Sequence, residues 1–159
     1  MKTNETVSGV ESANACRCIL IIDSDFDVRQ LSVDVLVGAG YFVDAVENGV
    51  AGWKAVQAAH YDLVITDHRL LGMTGMEMVE KMRVATMGIP VIIAARHLPT
   101  FEFYRKPWLK PVVMLQRPFS NDELLEAVKD ALCPDSRNAA LLVAGAAKRE
   151  PALELAGKP

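Results

Sequence analysis

The feature that most constrains this chain is a series of short apolar runs that end abruptly, each followed by a segment with helical spacing. Cys18-Ile19-Leu20-Ile21-Ile22 stops at Asp23, and Leu63-Val64-Ile65-Thr66 stops at Asp67. Pro90-Val91-Ile92-Ile93-Ala94 and Val112-Val113-Met114-Leu115 are runs of the same kind, and Tyr41 to Val46 is rich in β-branched and aromatic residues. Runs of this length that are apolar throughout suit strands covered on both faces. Between them, Val28, Leu31, Val35 and Leu36 recur with helical spacing until Gly38-Ala39-Gly40. Asn48-Gly49 is a turn signal before a helix over Val50–Ala59, with Trp53 and Val56 on one face, and Met76, Val79 and Met82-Arg83 mark a third helix. Ser120 and Glu123 have the spacing of a capping box, Leu124, Leu125 and Val128 form an apolar stripe, and Pro134 ends that helix. Strand and helix alternate throughout, which predicts an α/β fold with a doubly wound five-stranded parallel sheet and right-handed crossovers. Ligands in such folds bind beyond the carboxyl ends of the strands, where Asp23 and Asp67 are delivered.

The chain has 159 residues, 51% of them hydrophobic, which suits one domain with an ample core. Residues 1–16 read as a flexible polar lead-in, 17–133 as the domain, and 134–159 as an alanine-rich tail in which Asn138 to Lys148 has the makings of a short helix. The formal net charge of −3 argues against a broad nucleic-acid footprint, so no direct nucleic-acid partner is expected. No apolar run approaches the roughly 18 residues of a membrane span, and the first residues lack the apolar core of a signal peptide. Cys16, Cys18 and Cys133 do not make a disulfide framework and have no second ligand pair at metal spacing. Reduced thiols and a cytoplasmic location are the expectation.

The stretch Asp23-Ser24-Asp25-Phe26-Asp27 sets the chemical question. Carboxylates gathered at one strand edge repel one another unless a cation lies between them. Oxygen ligands of this kind suit Mg2+, which keeps several waters and helps to carry phosphates. A carboxylate beside such an ion can attack a phosphoryl group. The competing reading is local: Ser24 or Asp25 caps the first helix, and Asp27 favours its positive end.

Several blocks in order resemble the receiver domain of bacterial two-component response regulators, over roughly residues 17 to 132. "CILIIDSDFDVRQL" is similar to the first strand and acidic corner, and "GYFVDAVENGVAGWKAV" to the second strand and helix. "YDLVITDHRLLGMTGMEMVEKMR" resembles the phosphoacceptor strand, loop and third helix, and "IPVIIAA" and "LQRPFSNDELLEAV" the last two strands and final helix. The resemblance implies a flavodoxin-like fold of five βα units. It implies that Asp67 accepts a phosphoryl group from a histidine kinase or phosphotransfer protein. It further implies Mg2+ held by Asp23, Asp67, the backbone carbonyl of Arg69 and the position of Ser24. The face formed by the fourth helix, fifth strand and fifth helix is the expected site of homodimerisation or downstream docking. Such a protein is a phosphoacceptor rather than a turnover enzyme.

The chain departs from the family pattern at the switch positions. Ser24 stands where a second acid is usual, and Ala95 stands where a Thr or Ser would donate to the phosphoryl oxygen. Arg117 replaces the usual Lys, keeping the charge in a bulkier, forked shape, and Met114 replaces the switch aromatic. A lost charge-assisted contact is worth roughly 1.5–3 kcal/mol. Two such losses approach the ~5.5 kcal/mol that swings a two-state equilibrium fully. Altered switch chemistry is therefore expected. The alternative is a receiver-like interaction module that works without phosphorylation.

Pro107 and Pro111 forbid a long fourth helix and limit it to Thr100–Lys106. Phe101, Phe103, Tyr104 and Trp108 cluster there, either covering the sheet or forming a partner surface. His68, Arg69 and Arg96 lie near the acceptor, as loop residues or as contributors to its potential. "IIDSDFD" also resembles the Asp-x-Asp corner of haloacid dehalogenase-type phosphatases, with Asp23 as nucleophile and Asp25 as acid/base. The Lys and later acidic pair of those enzymes have no counterpart: "QRPFSNDE" offers Arg117, and its acids open a helix. With no block resembling an output domain, the chain reads as a stand-alone receiver with a tail.

Overall fold

The computed structural model describes residues 17–110, 112–133 and 142–144. Strands β1 (Cys18–Ile22), β2 (Phe42–Val46), β3 (Leu63–Thr66), β4 (Val91–Ala95) and β5 (Val112–Gln116) alternate with helices α1 (Phe26–Gly38), α2 (Gly49–Ala58), α3 (Gly75–Val84), α4 (Thr100–Arg105) and α5 (Asn121–Leu132). All strand pairs are parallel, and the spatial order is β2-β1-β3-β4-β5 followed by a short β6 (Leu142–Ala144). The order reverses between β1 and β3, and the ligand crevice of a doubly wound sheet lies at that switch point.

Alternation along each strand divides the core between the two faces of the sheet. Leu20, Ile22, Val64, Val91, Ile93 and Met114 pack with Val56 of α2, Val79 and Met82 of α3, and Phe103 of α4. Ile19, Ile21, Leu63, Ile65, Ile92 and Leu115 pack on the other face with Leu36 of α1 and Leu124 and Val128 of α5. Ile19, Ile22, Ile92 and Ile93 are wholly excluded from solvent, and each such side chain contributes about 1.5–3 kcal/mol of burial. At the α2 crossing the close approach needs a glycine: a Cβ on Gly52 would lie 2.3 Å from Ile22 Cδ1.

The tail departs from expectation. Leu142–Ala144 form a strand rather than part of a helix, paired in parallel with β5 in the register Val113↔Leu142, Met114↔Val143 and Leu115↔Ala144. An open strand edge presents unpaired backbone groups, and here that edge outweighs the helical preference of the alanine-rich segment. The five-stranded core is as expected, with β6 added at its edge. The rest of the predicted tail helix and the lead-in lie outside the described residues.

Pro107 acts as anticipated: α4 is a single short helix, followed by a 3₁₀ turn at Pro107–Leu109, while Pro111 lies outside the described residues. Arg83 of α3 ties that turn down, donating from Nε to the Leu109 carbonyl at 3.0 Å and from Nη1 to the Met87 carbonyl at 2.6 Å. Lys106 pairs with Glu80 of α3. Phe103 is a correction to the expected aromatic surface. It is 1% exposed and belongs to the core under the sheet, because the shortened helix turns this one aromatic inward. Phe101, Tyr104 and Trp108 are exposed.

Candidate functional site

The site forms at the carboxyl ends of β1, β3, β4 and β5. The parallel ladder brings them level: the Asp23 N–H donates to the Val46 carbonyl at 3.1 Å, the Asp67 N–H to the Ile22 carbonyl at 3.0 Å, and the Arg117 N–H to the Ala95 carbonyl at 3.0 Å. Asp23, Asp67, Ala95 and Arg117, spread over more than ninety positions of sequence, thus become neighbours. A cleft of about 860 Å³ opens here, lined by Ser24, Asp67, Arg69, Ala95, Arg96 and Arg117, among others. It continues over an apolar floor that includes Leu31 and Val35 of α1 and Phe119 and Leu124. Sequence reasoning did not foresee this floor, because its residues belong to two helices that meet only in the fold.

Arg117 organises the acids. Its Nη2 pairs with Asp23 Oδ2, and its Nη1 lies 3.5 Å from Asp67 Oδ2. The side chains of Arg117, Asp23 and Asp67 are 14%, 4% and 17% exposed. Asp23 Oδ1 accepts the Asp25 N–H at 2.9 Å, and Arg29 Nη1 donates to the Asp23 carbonyl at 2.5 Å. One nitrogen of the fork thus serves each carboxylate, a geometry suited to a guanidinium. Arg117 Nε is buried, with no hydrogen-bond partner among the described residues.

The local reading of the acidic corner holds for Asp25. It is the N-cap of α1, and its Oδ1 accepts the Asp27 and Val28 N–H groups at 3.0 and 3.2 Å. That oxygen is committed to the helix start; Asp25 also lines the cleft, beside Ser24, which is exposed there. Ala95 is 3% exposed at the end of β4 and offers no donor. Met114 is wholly buried in β5 beside the core, an apolar filler.

The loop after Asp67 is braced by features only partly legible beforehand. Thr66 Oγ1 donates to the Asp67 carbonyl at 3.0 Å, and the Gly75 N–H to the His68 carbonyl at 3.0 Å. A Cβ at Gly75 would lie 2.4 Å from the Asp67 carbonyl oxygen. Thr74 and Glu77 form a capping box at the start of α3, and the hydrogen bonds from Thr74 hold the Glu77 carboxyl below its ordinary pKa. The Thr-x-x-Glu spacing was the available signal for it. Gln116 Nε2 donates to the Arg96 carbonyl at 2.5 Å, joining the end of β5 to the loop after β4. His68 is half-buried, with Nδ1 unpartnered among the described residues, whereas Arg69, Arg96 and His97 are exposed along the cleft.

Among the described residues no cluster of three or more His, Cys, Asp or Glu side chains is gathered to hold a metal. The oxygen set is smaller: the Asp23 and Asp67 carboxylates, with Arg69 on the same cleft. It fits Mg2+, which binds through one or two carboxylates and retains several waters. The Arg117 guanidinium, however, lies between those carboxylates.

This arrangement defines a receiver-type site, and comparison with known proteins agrees. The response regulator receiver domain family model matches residues 19–129, and the chain belongs to that family. It is 31% identical over 114 residues to sporulation initiation phosphotransferase F of Bacillus subtilis, covering 72% of this chain and 92% of that protein. It is 34% identical over 115 residues to the probable transcriptional regulatory protein SilR of Salmonella typhimurium, of which it spans 50%. It covers 26% of the transcriptional regulatory protein GlrR of Escherichia coli. Among solved structures, the chemotaxis response regulator CheY4 of Vibrio cholerae superposes with a TM-score of 0.67 at 24% identity, over 73% of this chain and 98% of that one. The response regulator TrrA of Thermotoga maritima, in complex with Mg2+ and BeF, superposes with a TM-score of 0.64 at 28% identity, over 73% and 99%. Among the described residues no helix is long and apolar enough to cross a membrane.

Proposed function

We propose that this chain is a two-component receiver in which Asp67 takes a phosphoryl group from a histidine kinase or phosphotransfer protein. The observation that carries the reading is the Asp67 carboxylate at the mouth of the cleft, 3.5 Å from the Arg117 guanidinium and backed by Asp23. In the transfer, an Asp67 carboxylate oxygen attacks the phosphorus. The bond from phosphorus to the donor breaks, and the leaving group departs with its electron pair: neutral imidazole from a protonated phosphohistidine, or acetate from acetyl phosphate. Arg117 is placed to meet the phosphoryl oxygens as charge moves onto Asp67. Asp23, Asp67 and the Arg69 carbonyl are the groups that would hold Mg2+, which supplies further neutralisation of phosphoryl charge. With Ala95 in place of a hydroxyl donor, the phosphoryl group relies on cations and backbone for its contacts. The protein acts as a phosphoacceptor and not as a turnover enzyme, in the cytoplasm.

The test is the intact mass of the protein after incubation with Mg2+ and acetyl phosphate. One added phosphoryl group on the parent and none on folded Asp67→Asn supports the reading; no addition to either counts against it.

A second reading is favoured by a separate observation. Phe101, Tyr104 and Trp108 are 73%, 82% and 53% exposed around α4, and apolar exposure on this scale suits docking. On this reading the exposed aromatic side of α4 and its following turn, rather than the β5 edge that β6 covers, binds a second copy or a downstream protein without phosphorylation. Partner binding that survives Asp67→Asn and is lost in Phe101→Ala/Tyr104→Ala would favour it.

A further inference from the structure

We propose that the Arg117 guanidinium is the resident cation of this site, holding the place between Asp23 and Asp67 so that Mg2+ enters only by displacing it. The inference rests on the reading of these carboxylates as the acceptor site and adds what regulates its loading. Two largely buried carboxylates at one strand edge need a positive charge between them. The fork supplies it, with one nitrogen toward each acid. Among the described residues its Nε has no hydrogen-bond partner, and the two carboxylates are what hold the charged end of the side chain. Ser24 adds no negative charge at this corner, and Asp25, which also lines the cleft, keeps its charge but has Oδ1 turned to the α1 backbone as the cap. Asp23 and Asp67 with the guanidinium across them carry a net charge of −1, a weaker attraction for a divalent ion than the two carboxylates alone. Arg69 and Arg96 on the same cleft oppose a metal cation further while favouring an anion. The metal's neutralising role is thereby built partly into the chain, and Mg2+ affinity is set by competition with a side chain.

The experiment is isothermal titration of the full-length chain with MgCl2 alone, comparing the parent with Arg117→Gln and Arg117→Lys, each checked for folding by circular dichroism. Removing the charge is expected to tighten Mg2+ binding about tenfold or more in Arg117→Gln, since a unit charge at this range opposes the ion strongly. Lys, a flexible point charge without the fork, is expected to tighten it about threefold. Should Arg117→Gln fail to fold, Arg117→Lys decides alone. Parent and folded variants agreeing within about twofold, or the parent binding more tightly, overturns the proposal. The phosphoryl mass on Asp67 is read separately. A protein that accepts phosphate but shows no gain in Mg2+ binding loses only this inference, and one that gains Mg2+ binding but never accepts phosphate loses only the acceptor reading.

Discussion

Arg117 reaches two acids at once: Nη2 pairs with Asp23 Oδ2 while Nη1 lies 3.5 Å from Asp67 Oδ2. One side chain at the end of β5 therefore couples the ends of β3 and β1, two and three strands away across the sheet. Its energetic value is asymmetric, because removing one member of a buried pair strands the other.

The first prediction follows. Asp23 is 3% exposed, so Arg117→Ala leaves a buried carboxylate without its counter-charge and is expected to destabilise the fold by about 3–5 kcal/mol. Asp23→Asn/Arg117→Met is expected to recover most of that loss. Urea unfolding of the three variants at neutral pH measures both. An Arg117→Ala loss below about 1 kcal/mol would show that the pair is not maintained in solution.

Ala95→Thr tests the missing donor. A hydroxyl at this end of β4 adds one hydrogen bond to a phosphoryl oxygen, worth roughly 1.5–3 kcal/mol to an anion. The phosphorylated fraction at fixed acetyl phosphate is expected to rise, with a longer adduct lifetime, as read by intact mass over time. An unchanged lifetime would mean that the phosphoryl group does not approach β4.

Gly75→Ala tests the brace behind the acceptor. The added methyl would meet the Asp67 carbonyl at 2.4 Å, and backbone must move to relieve it. Overpacking of this kind destabilises by about 1–3 kcal/mol. Adduct formation on Asp67 should fall with it, whereas Gly88→Ala, where the new methyl meets nothing within 4 Å, serves as the control.

Alkaline pH should expose a tyrosine. Burial, followed by its hydrogen bond to Asp44 at 2.7 Å, pushes the Tyr61 hydroxyl from 10.0 up to about 12. The folded state then holds a proton that the unfolded chain gives up, so this contribution is intact below pH 10 and is lost as pH climbs toward 12. Unfolding measured from pH 9 to 12 is expected to show a fall that Tyr61→Phe flattens. Equal slopes in parent and variant would remove Tyr61 as the cause.

Much of this architecture was legible in the sequence because its signals are local. Leu63 to Thr66 is apolar at every position and became β3; Ser120 and Glu123 announced the start of α5. Asp23 and Asp67 were marked by where their runs end and Arg117 by the receiver resemblance, and the sheet order brought them together. What stayed hidden depends on distant neighbours. That Phe103 turns inward while Phe101 and Tyr104 face out depends on which side of α4 meets the sheet. That Arg117 spans both acids depends on side-chain reach across two strands, on which spacing is silent. The strand at Leu142–Ala144 exists because β5 presents an edge to it.

That last strand has a mechanical consequence. β6 is zipped to β5 through Leu115↔Ala144, two residues before Arg117, which directly follows the end of β5. Tension applied to the chain beyond Ala144 would load the β5 ladder and be felt within one strand repeat of the guanidinium. Whatever is tethered to that end of the molecule would have a handle on the charge that sits between the two acids.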